Sequence, residues 1–399
     1  MLRKRVLQVL GIESSCDETA AAVVAVQRAD VGRSLQFGFS VSASVIASQV
    51  AMHAKTGGVV PEVAAREHVL QIIPVIERAL RDAYPSWRPP KHHGKRTKSA
   101  RMFAGPPIDA IAVTAGPGLI TALGVGVETA RALTYVWRKP LIAVNHIEGH
   151  VLSALLEQAA SGKRQASSHA GPENRSASSE PAARSLSLVF PAVALIVSGG
   201  HTELLLLRRW GAYRCVGATR DDAAGEAFDK VAKLLGLEYP GGPAVARRAV
   251  EGDVQAIDFP RGMIASGDFD FSFSGMKTAV RMCVERATHP ADPKFVSDVC
   301  ASFQQAAVDV LVAKTITAVT KYRARTVLLG GGVAANRALR EQLATALALH
   351  PDVALHLPPL AYSGDNAAMI AAAGGVRLHL GKRTPWQEIA VDPNWELGR

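Results

Sequence analysis

No uninterrupted apolar run in the 399-residue chain approaches the ~18–20 residues that a membrane-spanning helix needs. The opening Met1-Leu2-Arg3-Lys4-Arg5 is basic and then apolar, like the start of a signal peptide. Gln8 soon interrupts it, however, and Glu13, Asp17 and Glu18 follow with no small-residue cleavage site. The expectation is a soluble, untargeted protein with no membrane partner. Cysteine is scarce: Cys16, Cys215, Cys283 and Cys300 form no CxxC pair and no regular spacing. A disulfide framework is therefore not expected, and a reducing cytoplasmic home is. There is no G-x-x-x-x-G-K-[ST], which excludes a P-loop nucleotide hydrolase.

What is present is globular. Hydrophobic residues at 48% and charged residues at 20% exclude a mostly disordered or fibrous chain. The length exceeds one average core, so two domains or one two-lobed unit is expected. The net charge is +10, and its location matters more than its size. Arg88, Lys91, Lys95, Arg96, Lys98 and Arg101 lie within residues 86–101 with no acid among them. Such a run can track phosphates or be a solvated loop. Residues 86–107 and 161–187 both look inserted: they carry no hydrophobic period and too little apolar surface to offset ordering entropy. The second holds Lys163, Arg164, Arg175 and Arg184 against Glu173 and Glu180, so the two segments together hold +8 of the +10. The remaining core is nearly neutral, and the high pI says nothing about it.

Elsewhere strand-like and helix-like signals alternate. Apolar residues 6–12, the polar turn ESSCDET and apolar residues 20–26 read as a hairpin. The pattern returns with residues 192–197, the turn SGGHTE and residues 204–207, which suggests a duplicated architecture. Residues 63–84 have helical spacing through Val69, Leu70, Ile73, Ile76 and Leu80, with Pro74 as a kink point. Residues 109–114, 141–145 and 326–329 read as buried strands, the second running into a helix near His146 and the third into a helix over 334–347. The fold class expected is α/β.

His146 and His150 are four residues apart, so on a helix both imidazoles can converge on one ion or simply share a surface. The zinc-protease motif H-E-x-x-H needs its acid beside the first His, whereas here the acid is Glu148, on a different face. Asp365, a lone acid between a Ser-Gly turn and an apolar helix, is the candidate third ligand; the competing reading is a helix N-cap. Two His and one carboxylate with open positions suit iron, with zinc and manganese as alternatives.

The glycines of Ser198-Gly199-Gly200-His201 let backbone N–H groups approach an anion, although such a turn also serves ordinary hairpins. The turn from Glu13 to Thr19 offers hydroxyls and carboxylates of the kind that hold phosphate or metal-bound water. Gly330-Gly331-Gly332 after a strand reads as a loop admitting a base or ribose, with Asn336 as its hydrogen-bonding side chain. Asp222, Glu226 and Asp229 fall on one helical face; acids there can simply favour the helix dipole, while their mutual repulsion points to a ribose, metal or cation partner.

GIESSCDETAAAVV, SQVAMHAKTGGVVPEVAAREH, HIEGH, VSGGHTELL, DDAAGEAFDKVAKLLGLEYPGGP, FSFSGMKTAV, GGVAANRALR and SGDNAAMIA occur in that order. Together they resemble the universal tRNA N6-adenosine threonylcarbamoyltransferase family over residues 11–372, apart from the two insertions. The resemblance implies a two-lobed fold of the actin/Hsp70/sugar-kinase type, with one lobe over 1–145 and the metal helix and other lobe over 146–399. It implies one divalent metal, usually iron, on His146, His150 and Asp365. Its substrate would be threonylcarbamoyl-AMP, bound by the loop Ile196, Val197, Ser198, Gly199 and Gly200 and by Asp229, Gly242 and Asn336.

The reaction implied is transfer of threonylcarbamoyl to N6 of adenosine 37 of tRNAs that read codons starting with A, with AMP released. Asp17 or Glu18 would take the amine proton. The partners implied are tRNA, a paralogous dimerising subunit and a small ATPase. The basic run at 86–101 then gains a candidate role on tRNA. Three positions depart from the family pattern: Ala246 where relatives have an acid, Asn145 where a second His often precedes the metal pair, and Met276 where leucine is usual. The competing classes are an actin-like ATPase or sugar kinase, a metalloprotease and a non-catalytic scaffold.

Overall fold

The computed structural model describes residues 6–32, 34–88, 105–157 and 188–399. The segment 161–187 and residues 89–104, including Lys91, Lys95, Arg96, Lys98 and Arg101, lie outside the described residues. The chain opens with an antiparallel meander of β1 (Val6–Glu13), β2 (Glu18–Val31) and β3 (Ser34–Ser48). Helices α1 (Val50–His53) and α2 (Pro61–Ala83) lead to β4 (Ala110–Gly116), α3 (Ile120–Trp137) and β5 (Leu141–Asn145). β1 pairs parallel with β4, and β4 parallel with β5, which gives the order β3-β2-β1-β4-β5.

The plan then repeats. After α4 (His146–Ser153) come the antiparallel β6 (Ala192–Val197), β7 (Thr202–Arg209) and β8 (Ala212–Ala218). Four helices follow: α5 (Ala224–Leu234), α6 (Gly241–Ala249), α7 (Ser274–Arg286) and α8 (Pro293–Tyr322). The last elements are β9 (Thr326–Gly330), α9 (Arg337–Leu347), β10 (Ala354–His356) and α10 (Ala367–His379). The second sheet runs β10-β9-β6-β7-β8, which is the first order read from the other edge. The duplicated two-lobed α/β architecture expected from the paired hairpins is therefore present.

The central strands are apolar on both faces because both are covered, and all seven residues of β4 are buried. One core joins β1, β2 and β4 to α2 and α3; another joins β6, β7 and β9 to α5 and α8. A third lies between the sheets and is built from α4 and α10, with residues of β1, β2, β4, β6 and β9. Gly11 shows how close α10 comes, since a Cβ there would sit 2.2 Å from the Ala367 carbonyl oxygen. α8 is long and apolar enough to cross a membrane by composition, but 67% of its most apolar window is buried inside the second lobe.

α2 corrects the sequence reading of its apolar face. Its buried residues are Ala64, His68, Ile72, Val75, Ile76, Ala79 and Leu80, whereas Val69, Leu70 and Ile73 are exposed. The buried face mixes the small Ala64 and Ala79 with Ile72, Val75, Ile76 and Leu80. Pro74 lies on the exposed side, and the helix runs through it as one element. The 3-10 turn Gly332–Ala335 also delays α9, which starts at Arg337 instead of near 334.

The chain's last residues bridge the lobes. Asp392 donates its N–H to Ala115 O at 2.7 Å in the first, and Cys215 donates to Gly398 O at 3.1 Å in the second.

Candidate metal centre and substrate cleft

His146 is the first residue of α4, and Asn145 before it caps the helix by accepting from the N–H groups of Ile147 and Glu148. Asn145 also donates to Trp395 O at 2.8 Å, so the residue that departs from the family pattern here has a structural task. Four residues on, His150 falls on the same face, and the two rings meet edge to face with centroids 4.6 Å apart. Asp365 reaches both from the turn before α10: its Oδ1 lies 3.4 Å from His146 Nε2 and 3.2 Å from His150 Nε2. The helix cap of α10 is Asn366, whose side chain accepts from Met369 N–H, so capping does not account for Asp365.

The donor set fits a metal. One ligand atom from each of His146, His150 and Asp365 lies within 4.8 Å of the others. His150 is fully buried; its Nδ1 has no hydrogen-bond partner, and its Nε2 faces the Asp365 carboxylate at 3.2 Å. A buried polar group left this way is costly unless something else fills its lone pair.

Glu13, which ends β1, is the residue that spacing alone could not attach to this cluster. It is fully buried, and its Oε2 lies 3.0 Å from His146 Nδ1. Thr114 Oγ1 donates to the same oxygen at 2.7 Å, and the Ser15 N–H donates to Oε1 at 2.6 Å. Burial opposes charge on Glu13, but His146 outweighs it and keeps the carboxylate pKa below its ordinary value. Burial likewise opposes a charge on His146, yet Asp365 and Glu13 on its two sides hold its pKa well above the ordinary value. With Nδ1–H given to Glu13, Nε2 is the nitrogen that faces Asp365 and would bind a metal once its proton has left.

Glu148 is turned away, as its spacing indicates, and its Oε2 accepts from Arg377 at 2.7 Å. A glutamate held in a buried ion pair on the wrong face cannot be the base of a zinc protease.

The turn after β6 continues from Ile196 and Val197, whose side chains are buried. The Ser198 N–H donates to His201 O at 2.8 Å, and the His201 N–H donates to Ser198 Oγ at 3.1 Å. Gly199 and Gly200 stand exposed at the tip, with open space where a Cβ would be. α5 begins against this turn, and only glycine fits at 225, where a Cβ would be 2.5 Å from Ser198 O. His201 is pushed down to about 4 by burial and by its proximity to His146 and His150.

The remaining sequence-selected residues behave unevenly. Asp229 Oδ1 accepts from the Gly241 N–H at 2.7 Å, which fixes the start of α6, and Gly242 beside it has open space over its Cα. Asp222 and Glu226 find their cation in Lys230, at 2.6 and 2.8 Å. Both ends of the Asn336 amide are engaged: Oδ1 accepts from Leu339 N–H at the start of α9, and Nδ2 donates to Gln304 at 2.8 Å. In the first hairpin turn, Glu18 is pushed up to about 9 by burial, then by the charges of Asp365 and Asp17. Ser15 Oγ in that turn lies 3.2 Å from His146 Nδ1, so the turn borders the metal-ready cluster.

These features define a class: a duplicated two-lobed α/β fold with a hairpin turn in each lobe and a buried His-His-Asp cluster beside the first of them. A profile described as tRNA N6-adenosine threonylcarbamoyltransferase matches residues 40–91, 98–166 and 178–372. Its two breaks, 92–97 and 167–177, fall inside the segments that read as insertions. A Geobacillus kaustophilus protein of that description is 45% identical over 98% of this chain and 96% of its own. One from Bacillus subtilis is 42% identical over 100% and 98%, respectively. One from Anaeromyxobacter dehalogenans is 43% identical over 98% and 99%. The chain belongs to the tRNA N6-adenosine threonylcarbamoyltransferase family. Among solved structures, HypF of T. kodakarensis matches with a TM-score of 0.53 at 12% identity, over 94% of this chain and 48% of that one. This chain thus spans about half of HypF, and the likeness is one of fold.

Proposed function

We propose that this protein transfers the threonylcarbamoyl group of threonylcarbamoyl-AMP to N6 of adenosine 37 in tRNAs that read codons starting with A. The observation that carries the reading is the intact His146–His150–Asp365 cluster beside the Glu13–Thr19 turn. The metal is iron, which suits two imidazoles and one carboxylate with open positions. When bound it supplies Lewis-acid polarisation of the transferred group's oxygens.

The chain's own residues do the rest. The exposed Gly199 and Gly200 amides meet the phosphate, with Ile196, Val197 and Ser198 shaping the turn. Asp229 and Gly242 at the start of α6 and Asn336 at the start of α9 line the nucleotide part. The adenine amine is a poor nucleophile because its lone pair is delocalised into the ring, so positioning and charge stabilisation are what the site must provide. Its nitrogen forms a bond to the carbamoyl carbon, the bond from that carbon to the phosphate oxygen breaks, and AMP departs. Asp17 or Glu18 accepts the amine proton.

The four free cysteines support a reducing cytoplasmic home. The exposed row Val69, Leu70 and Ile73 on α2 supports docking of a paralogous subunit, and a small ATPase completes the assembly. The test is nucleoside mass spectrometry of bulk tRNA from depleted cells rescued with wild type or Asp365→Ala. Threonylcarbamoyladenosine should vanish, return with wild type and stay absent with the variant. Its persistence at normal level without the protein refutes the reading.

A further inference from the structure

Residues 49–68 contribute nothing to the His-His-Asp cluster or to the glycine turn, yet they hold the backbone of the turn that carries Asp17 and Glu18. His68, on the inner face of α2, is fully buried. Its Nε2 lies 3.0 Å from Cys16 O, which can only accept, so Nε2 carries the proton. Nδ1 is then the acceptor for Thr19 Oγ1 at 2.8 Å. A single neutral tautomer satisfies both contacts, one on each side of Asp17 and Glu18. Burial also disfavours a charge on this ring.

A second clasp lies beside it. The Gln49 N–H donates to Asp17 O at 3.0 Å. The Gln49 side chain donates to Ala64 O at 3.3 Å and accepts from His53 Nε2 at 3.0 Å. His53 is itself buried. The carbonyls of Cys16 and Asp17 and the hydroxyl of Thr19 are thus all tied to the stretch that begins α2, and the two acidic side chains project from a fixed frame.

We propose that His68 is a positioning residue for the transfer step: its imidazole sets the 16–19 backbone so that the Asp17 and Glu18 carboxyls meet the acceptor amine in register. This rests on the assignment of those two acids to proton transfer. Misplacing a reacting group by about 1 Å costs on the order of 100-fold. In the full protein assembled with its partners, His68→Leu keeps the bulk and removes both hydrogen bonds. It should lower kcat about 10- to 100-fold while KM for threonylcarbamoyl-AMP and metal affinity stay within about twofold, since neither substrate turn nor metal ligand is touched. His68→Gln, which can still donate to Cys16 O, should recover much of the loss. Thr19→Val, a smaller perturbation of the same frame, should lower kcat several-fold.

Normal kcat in both His68→Leu and Thr19→Val overturns the proposal. So does a loss in which kcat and metal affinity fall while KM rises, because that marks general collapse. Asp17→Asn and Glu18→Gln separate the two levels. If both keep normal kcat, the proton-transfer assignment fails; if they lose it and His68→Leu does not, only the positioning role fails. Where both hold, His68→Leu should add little loss to Asp17→Asn, since both act on one step.

Discussion

Replacing Glu13 with glutamine perturbs the metal cluster without touching a ligand, and its effect can be worked out atom by atom. Glutamine has nearly the same volume, and its carbonyl can keep the Ser15 N–H bond that the carboxylate now accepts at 2.6 Å. Its amide nitrogen then takes the place of Oε2, which lies 3.0 Å from His146 Nδ1. An amide N–H donates where the carboxylate accepted, so the imidazole proton moves to Nε2, the nitrogen that faces Asp365. That proton blocks the coordinating lone pair. Loss of such an outer partner typically costs 10- to 100-fold in metal affinity, about 1.4–2.7 kcal/mol.

A second effect has the opposite sign. Burial opposes a charge on His146, but Asp365 and Glu13 override it and place its pKa well above the ordinary 6.5. At neutral pH the wild-type metal therefore competes with a proton. Its affinity should climb about tenfold per pH unit until the pH passes the His146 pKa, then level off. With Glu13 neutralised, that pKa falls, the climb ends at lower pH, and the plateau is lower. The assay is anaerobic chelator competition with ferrous ion, and with zinc as a control, over about pH 6–9. Plateaus that coincide at the alkaline end would refute the tautomer argument, whatever happens at neutral pH.

Two further outcomes follow from packing. Gly11→Ala puts a methyl 2.2 Å from the Ala367 carbonyl oxygen and should cost about 1–3 kcal/mol in urea unfolding, with metal affinity falling because Asp365 precedes the same helix; an unchanged midpoint would mean α10 is free to move. Arg377→Met strands the buried Glu148 carboxylate that it now meets at 2.7 Å and should cost about 3–5 kcal/mol, partly restored by adding Glu148→Gln. A double variant no more stable than the single one would show that the pair contributes little.

Local features were legible in the sequence because their signals are local. Both hairpins announce themselves as apolar runs around small polar turns, and the histidine pair as an i, i+4 spacing. Glu13 was not legible as the partner of His146, because it lies 133 residues away and only the parallel pairing of β1 with β4 and β5 brings them together. The choice between ligand and cap at Asp365 turned on one neighbour: Asn366 does the capping. The acidic face at 222–229 called for a cation, and Lys230 at its end supplies one. On α2 the apolar pattern was wide enough to allow two faces. Which one is buried is settled by packing against the sheet, which no periodicity encodes.

The place of α10 has a consequence for how the molecule is made. Val9, Ala20, Ala22, Val24 and Val26 on one face of the first sheet are covered by Ala367 to Val376, a segment that a ribosome adds long after the sheet itself. Once residue 145 has emerged, all five strands of that sheet exist, yet this face has no lid until α10 begins at Ala367, about 220 residues later. At about 5–20 residues per second the wait is on the order of 10–40 s. The nascent chain therefore carries an open apolar sheet through most of its synthesis. The half made first cannot finish folding before the half made last.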